Sequence, residues 1–124
     1  MIDDLITANE NIATSNFLID NKNILAEDNV FSVSGLLENI AQTAAAQVGY
    51  LSVQNNVPVP IGFIGAISKV LVQKLPQVNS KIETIIEVKQ EVFNITLIAG
   101  EVKQDGELLI SCQMKIMIDK KTIE

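Results

Sequence analysis

The sequence predicts an α+β fold in which a curled antiparallel β-sheet wraps one long central α-helix. Three observations carry this expectation. Residues 34–52 place apolar side chains at helical spacing. From Ile61 onward the pattern changes to β-branched and alternating runs that continue almost to the last residue. Between the two lies Asn55-Asn56-Val57-Pro58-Val59-Pro60, which stops a helix and turns the chain. A run of strands beside a segregated helix is the α+β pattern, and one helix covers only one face of a sheet, so the sheet must curl around it.

Taken in order, residues 2–6 predict a short helical turn, broken by the turn and cap formers Asn9, Asn11 and Ser15. Residues 16–20 read as a short strand through Phe17-Leu18-Ile19, followed by a turn at Asp20-Asn21-Lys22-Asn23. Residues 24–31 read as extended or looped. The helix over 34–52 carries Leu37, Ile40, Ala41, Ala44, Ala45, Val48 and Leu51 on one broad arc. Glu38, Asn39, Gln42, Thr43 and Gln47 fall on the other side. The narrow run Thr43-Ala44-Ala45-Ala46 lets a sheet approach closely. Residues 61–74 form a long strand punctuated by Gly62 and Gly65 and ended by Pro76. Residues 81–92 alternate, with Ile82, Thr84, Ile86, Val88, Gln90 and Val92 on one face, as in a half-buried antiparallel strand. Residues 93–103 form the next strand. Asp105-Gly106 is a strong hairpin signal. Residues 107–118 form the last strand, with Leu108, Ile110, Cys112, Met114, Ile116 and Ile118 on one face.

The chain of 124 residues is expected to be a single domain over its whole length, 1–124. Its hydrophobic fraction is 48% while aromatics are only 4%, so the apolar content is aliphatic. So much aliphatic surface in a small domain has two outlets beyond an ordinary core: a subunit interface or an apolar ligand channel. A net charge of −6 disfavours nucleic acid and anionic membrane surfaces. It also opposes an acidic partner unless lysines cluster near the entry. The single cysteine, Cys112, excludes an internal disulfide, and its apolar neighbours at strand spacing read as a buried thiol. There is no histidine, which removes His-based acid–base chemistry, Ser-His triads and most transition-metal sites. No signal peptide and no membrane-spanning run is visible, so the expected address is cytoplasmic.

Three local patterns bring a family to mind. Leu36-Leu37-Glu38-Asn39-Ile40-Ala41-Gln42 resembles the Leu-Glu-x-x-Ala-Gln segment of the hot-dog 3-hydroxyacyl-acyl-carrier-protein dehydratases, where it opens the central helix and its acidic residue is catalytic. Phe63-Ile64-Gly65 resembles the Phe-x-Gly that follows the helix there, whose glycine N–H helps hold the thioester carbonyl. The strands up to Ile118, with the Asp105-Gly106 turn and a Cys-x-Met near the end, are similar in length and spacing. The resemblance implies a hot-dog fold. It also implies an acyl thioester of acyl carrier protein or coenzyme A as ligand, with no cofactor and no metal. Assembly is implied as a homodimer or a larger assembly of dimers, with the sheets joined and the sites between subunits.

The family also carries a Gly-His-Phe-Pro-Gly loop ahead of the helix. Counting back from Glu38, its histidine falls near Ile24, and the second Pro-Gly falls at Ser32-Val33. Neither motif is present. The implied reading is a dehydratase-like thioester-binding protein that is inactive or weakly active alone, with heterodimerisation to a His-bearing homologue as one assembly. The alternatives are a hot-dog acyl thioesterase using Glu38, or a non-catalytic structural subunit of an active dehydratase.

The candidate catalytic residue is therefore Glu38, a carboxylate at the mouth of an acyl channel. The plainer reading is an acid in the first turn of a helix, stabilised by the helix dipole by about 0.3–1 kcal/mol. Gln42, one turn on, is the candidate orienter of that carboxylate, or simply a polar residue at a wet border. Gly65 and Phe63 are candidate substrate-binding residues, and Gly65 serves equally as a β-bulge that curls its strand. Asp20, Asp28 and Asn29 are candidates for a replacement acid or base, although loop acids are usually just solvated.

Overall fold

A computed structural model describes residues 1–119. Its elements run β1 (Asp4–Ala8), β2 (Ile12–Leu18), β3 (Ala26–Glu27), β4 (Val30–Phe31), α1 (Val33–Gln54), β5 (Ile61–Val72), β6 (Lys81–Val92), β7 (Ile95–Gln104) and β8 (Glu107–Asp119). Six strands form one sheet in the order β1-β2-β6-β7-β8-β5, antiparallel at every pairing, and β3-β4 form a separate small ribbon. The expected α+β layout of one helix on a curled antiparallel sheet is what forms.

The N-terminal reading needs correction. Residues 2–6 make no helical turn; β1 and β2 form a hairpin, with Asp4 opposite Asn16 and Thr7 opposite Thr14. The Asn9 side-chain oxygen closes the turn by accepting from the N–H groups of Asn11 and Ile12. The hydrogen bonds of the hairpin outweigh a weak local helical preference. The strand placed at 16–20 is thus the end of a longer one, whose Ala13, Ser15 and Phe17 alternate inward. Residues 24–31 fold into the β3-β4 ribbon, with Asp28 and Asn29 both at positive φ in its turn.

Asp105 and Gly106 take φ of +50° and +81°, the paired left-handed turn that this dipeptide favours. The β6–β7 turn consists of Phe93 and Asn94, so β7 begins two residues later than the sequence suggests. β5 is irregular in two places, and one of them, between Ile64 and Ala66, leaves Gly65 in a bulge.

Helix α1 lies across β6, β1, β2 and β7 and only grazes β5. Its N-cap is Ser32, whose hydroxyl accepts from the Gly35 N–H at 3.0 Å. The core comprises Phe17, Phe31, Leu36, Ile40, Ile82, Ile86, Ile98, Val102 and Ile110, all buried. Gly100 lets Ile40 settle on β7: a Cβ there would meet Ile40 Cγ2 at 2.5 Å.

The helix also buries polar residues that the sequence places on its far side. Asn39, Thr43 and Gln47 face the sheet. Thr43 Oγ1 lies 2.7 Å from Ser15 Oγ. The Asn39 amide donates to the Met1 carbonyl and accepts from the Thr84 hydroxyl. Gln47 donates to the Asn9 carbonyl at 2.7 Å. Spacing of four residues sets these three on one stripe, and each finds a partner on the β1-β2-β6 half of the sheet. No helix among the described residues is long and apolar enough to cross a membrane.

Candidate functional site

Because α1 sits over the β1-β2-β6 half, the inner face of β8 and β5 lacks a full helical cover. An apolar pocket of about 270 Å³ opens there. Its helix wall is Glu38, Ala41, Gln42, Ala44, Ala45 and Val48; its floor is Ile116 and Ile118 of β8; its far wall is Val59, Pro60 and Gly62–Ile64. The alanines keep the helix wall low and make room for the pocket.

Glu38 and Gln42 stand together at this pocket, one helical turn apart. The Gln42 side-chain N–H donates to Glu38 Oε1 at 3.0 Å. That bond holds one carboxylate oxygen and leaves the other free for a ligand. Both residues are exposed. The helix starts at Val33, so Glu38 lies beyond its first turn, where no acidic residue is found. The helix-dipole explanation of Glu38 falls with that placement, because the effect fades after one turn. Among the described residues Glu38 is the sole ionisable one lining this pocket.

Of the four residues singled out by sequence, Glu38, Gln42 and Phe63 come together around one pocket, with Phe63 58% exposed. Gly65 lies just past the wall, in the β5 bulge, and a Cβ added there would meet Met117 Sδ at 3.2 Å. The loop acids do not reach the pocket. Asp20 Oδ1 accepts from the Lys22 N–H in a local turn, and Asp28 and Asn29 occupy the exposed β3-β4 turn. Among the described residues nothing else at this pocket is ionisable; the carboxylates Glu10 and Glu91 line the adjoining one.

A second pocket of about 200 Å³, which sequence reasoning missed, adjoins the first along α1 as a distal stretch. The two share Ala44, Val48, Pro60, Ile116 and Ile118. The distal stretch adds the apolar Leu51, Val88, Phe93 and Ile98 together with Thr96, Gln47 and the two exposed carboxylates Glu10 and Glu91. The alanine run of the helix was the one local signal for it. On the helix-free face of the sheet a hollow of about 370 Å³ is lined by Lys69, Glu87, Lys89, Glu101 and Gln113, the chemistry of a solvated surface.

Cys112 is 4% exposed, and burial pushes its thiol up to about 11, in keeping with a buried thiol and against a nucleophile. Among the described residues no group of three or more His, Cys, Asp or Glu side chains is placed to hold a metal ion. Strand β5, at one edge of the sheet, is exposed along its whole length, including Ile61, Phe63, Ile67 and Leu71.

The family model for ApeP-like proteins, described as ApeP dehydratase, matches residues 1–123. No curated protein matches the chain. Among solved structures, the dehydratase heterocomplex ApeI:P from Xenorhabdus doucetiae is similar over 98% of this chain and 84% of that one, with a TM-score of 0.87 at 14% identity. The uncharacterised protein PH1136 from Pyrococcus horikoshii is similar over 98% and 86% of the two chains, with a TM-score of 0.77 at 13% identity. A hypothetical thioesterase from Streptococcus pneumoniae, solved with coenzyme A, covers 94% of this chain and 84% of its own, with a TM-score of 0.76 at 9% identity. At these identities the structures speak for the fold alone, and that fold is the hot-dog: one helix packed against a six-stranded antiparallel sheet.

Proposed function

Because the chain belongs to the ApeP-like dehydratase family, we propose that it is an acyl-thioester-binding subunit of fatty-acid or polyketide-like metabolism. In this reading Glu38 supplies one half of a dehydratase site, and the histidine half comes from a homologous partner. The observation that carries it is the pairing of Glu38 with Gln42 at the mouth of an apolar pocket, in a chain with no histidine. Dehydration of a 3-hydroxyacyl thioester removes the C2 proton and expels the 3-hydroxyl, so it needs a base and an acid at once. Glu38 serves as one of them, oriented by Gln42; Phe63 and the Gly65 backbone border the thioester.

The exposed edge of β5 supports the assembly. A twelve-residue edge strand with Ile61, Phe63, Ile67 and Leu71 in water is an unprotected pairing surface. Pairing two such edges joins the sheets into one and brings the partner's residues to the Glu38 pocket. A homodimer would contain two carboxylates and no histidine. A heterodimer with a His-bearing homologue would complete one site. The heterocomplex among the structural neighbours agrees with this arrangement.

Coenzyme A in a thioesterase-like neighbour keeps hydrolysis as the second reading, with Glu38 activating water at the acyl carbon. The test is the purified chain on crotonyl-coenzyme A between pH 6 and 9, read as enoyl absorbance and as free thiol. The proposal expects binding without turnover at the family's rate. Robust hydration abolished by Glu38→Gln contradicts it. Thiol release abolished by the same substitution puts hydrolysis first.

A further inference from the structure

The geometry points to Phe93 as a specificity-determining residue for long acyl chains, its ring capping the far end of the groove that begins at Glu38. This rests on the thioester-binding reading above. The two pockets share five lining residues, so they adjoin along α1 and a tail entering beside Glu38 is directed toward the second. Between Glu38 and Leu51 the helix wall rises roughly 20 Å, the reach of an extended chain of about sixteen carbons. The path is low-walled on the helix side at Ala41, Ala44 and Ala45 and floored by Ile98, Ile116 and Ile118, with the exposed Glu10 and Glu91 at the edge of its distal stretch. Such a slot suits a linear apolar chain.

Phe93 lines the distal stretch, and its setting is otherwise hard to explain. It opens the two-residue β6–β7 turn with φ of +55°, a backbone conformation that favours Gly, Asn or Asp. The neighbouring hairpin obeys that preference with Asp105-Gly106, whereas here a phenylalanine takes the left-handed position and Asn94 follows it. The turn is pinned over β8, because the Asn94 carbonyl accepts from the Ile118 N–H at 2.8 Å. The residue is 94% exposed, yet it lines the distal stretch. A large apolar ring held in a disfavoured conformation and left in water gains nothing in the empty protein. It gains burial once an apolar chain reaches it. Chains that stop near Val48 never touch it; chains that run on to Val88 and Ile98 do.

The experiment is calorimetric titration of the whole chain with butyryl-coenzyme A and hexadecanoyl-coenzyme A, for wild type, Phe93→Ala and Phe93→Gly. Wild type is expected to favour the hexadecanoyl thioester by at least about tenfold. Both variants are expected to lose most of that ratio. The glycine variant keeps the turn without strain, so thermal unfolding at or above the wild-type temperature separates loss of the cap from loss of the fold. Equal wild-type binding of the two thioesters overturns the cap and leaves the thioester reading standing. Binding of neither takes both down. An unchanged ratio in the variants overturns the cap, as does sedimentation showing that the variants change assembly instead, which would make Phe93 a subunit contact.

Discussion

The buried hydroxyl pair between Ser15 and Thr43 makes an asymmetric prediction. Both side chains are fully buried, with their oxygens 2.7 Å apart. A hydroxyl has one hydrogen. Thr43 uses its own on the Asn39 carbonyl, at 2.9 Å, so Ser15 must be the donor to Thr43. Thr43→Val keeps the shape but strands the Ser15 donor in the interior, and a buried unsatisfied group costs about 1–3 kcal/mol. Ser15→Ala removes the donor and leaves Thr43 still bonded to Asn39, so it loses only the net worth of one bond, about 0.5–1.5 kcal/mol. The double variant strands nothing and should cost less than the two singles together, with a coupling of about 1 kcal/mol. Urea unfolding at one fixed protein concentration measures all three, since any subunit association makes stability concentration-dependent. A larger loss for Ser15→Ala than for Thr43→Val would refute the donor assignment. Strict additivity would refute the bond.

Three further outcomes follow from single features. Gly100→Ala forces a Cβ toward Ile40 Cγ2 at 2.5 Å and should destabilise by about 1–3 kcal/mol, measured by the same unfolding curves, with Ile40→Leu in the same chain, which removes that β-branch methyl, recovering part of the loss. Ser32→Ala removes the hydroxyl that caps α1 and should cost about 1 kcal/mol, read as a lower urea midpoint with an unchanged slope. The Cys112 thiol, pushed by burial from 9.0 to about 11, should resist thiol reagents at pH 8 in the folded protein; because the folded state holds that proton more tightly, its contribution to stability is intact below pH 9 and declines as pH rises toward about 11, which unfolding curves across that window would show.

The parts of the fold that sequence revealed are those where local pattern and tertiary demand agree. The helix over 34–52, the alternation through Ile82, Thr84 and Ile86, and the Asp105-Gly106 turn each state their structure within a few residues. The parts that it hid depend on partners far along the chain. Nothing near Leu5 says that Asp4 will pair with Asn16. Asn39, Thr43 and Gln47 look like a wet face until Ser15, Thr84, Met1 and Asn9 arrive to satisfy them. The site divides in the same way. Glu38 and Gln42 were legible because four-residue spacing fixes their contact on any helix. The distal stretch was not, because Val88, Phe93 and Ile98 meet Leu51 only when β6 and β7 fold under the helix. Phe93 in particular gives no sign in a sequence that reads as a strand through it.

Turnover by a mixed pair tests the central claim most directly. The chain co-purified with a His-bearing hot-dog homologue should hydrate crotonyl-coenzyme A, while the chain alone does not. Glu38→Gln placed in this chain only should then lower the turnover of the pair by about 10² to 10⁴, with sedimentation showing the pair still assembled. Full turnover by an assembled pair carrying Glu38→Gln would mean that Glu38 is no part of the site and would contradict the account.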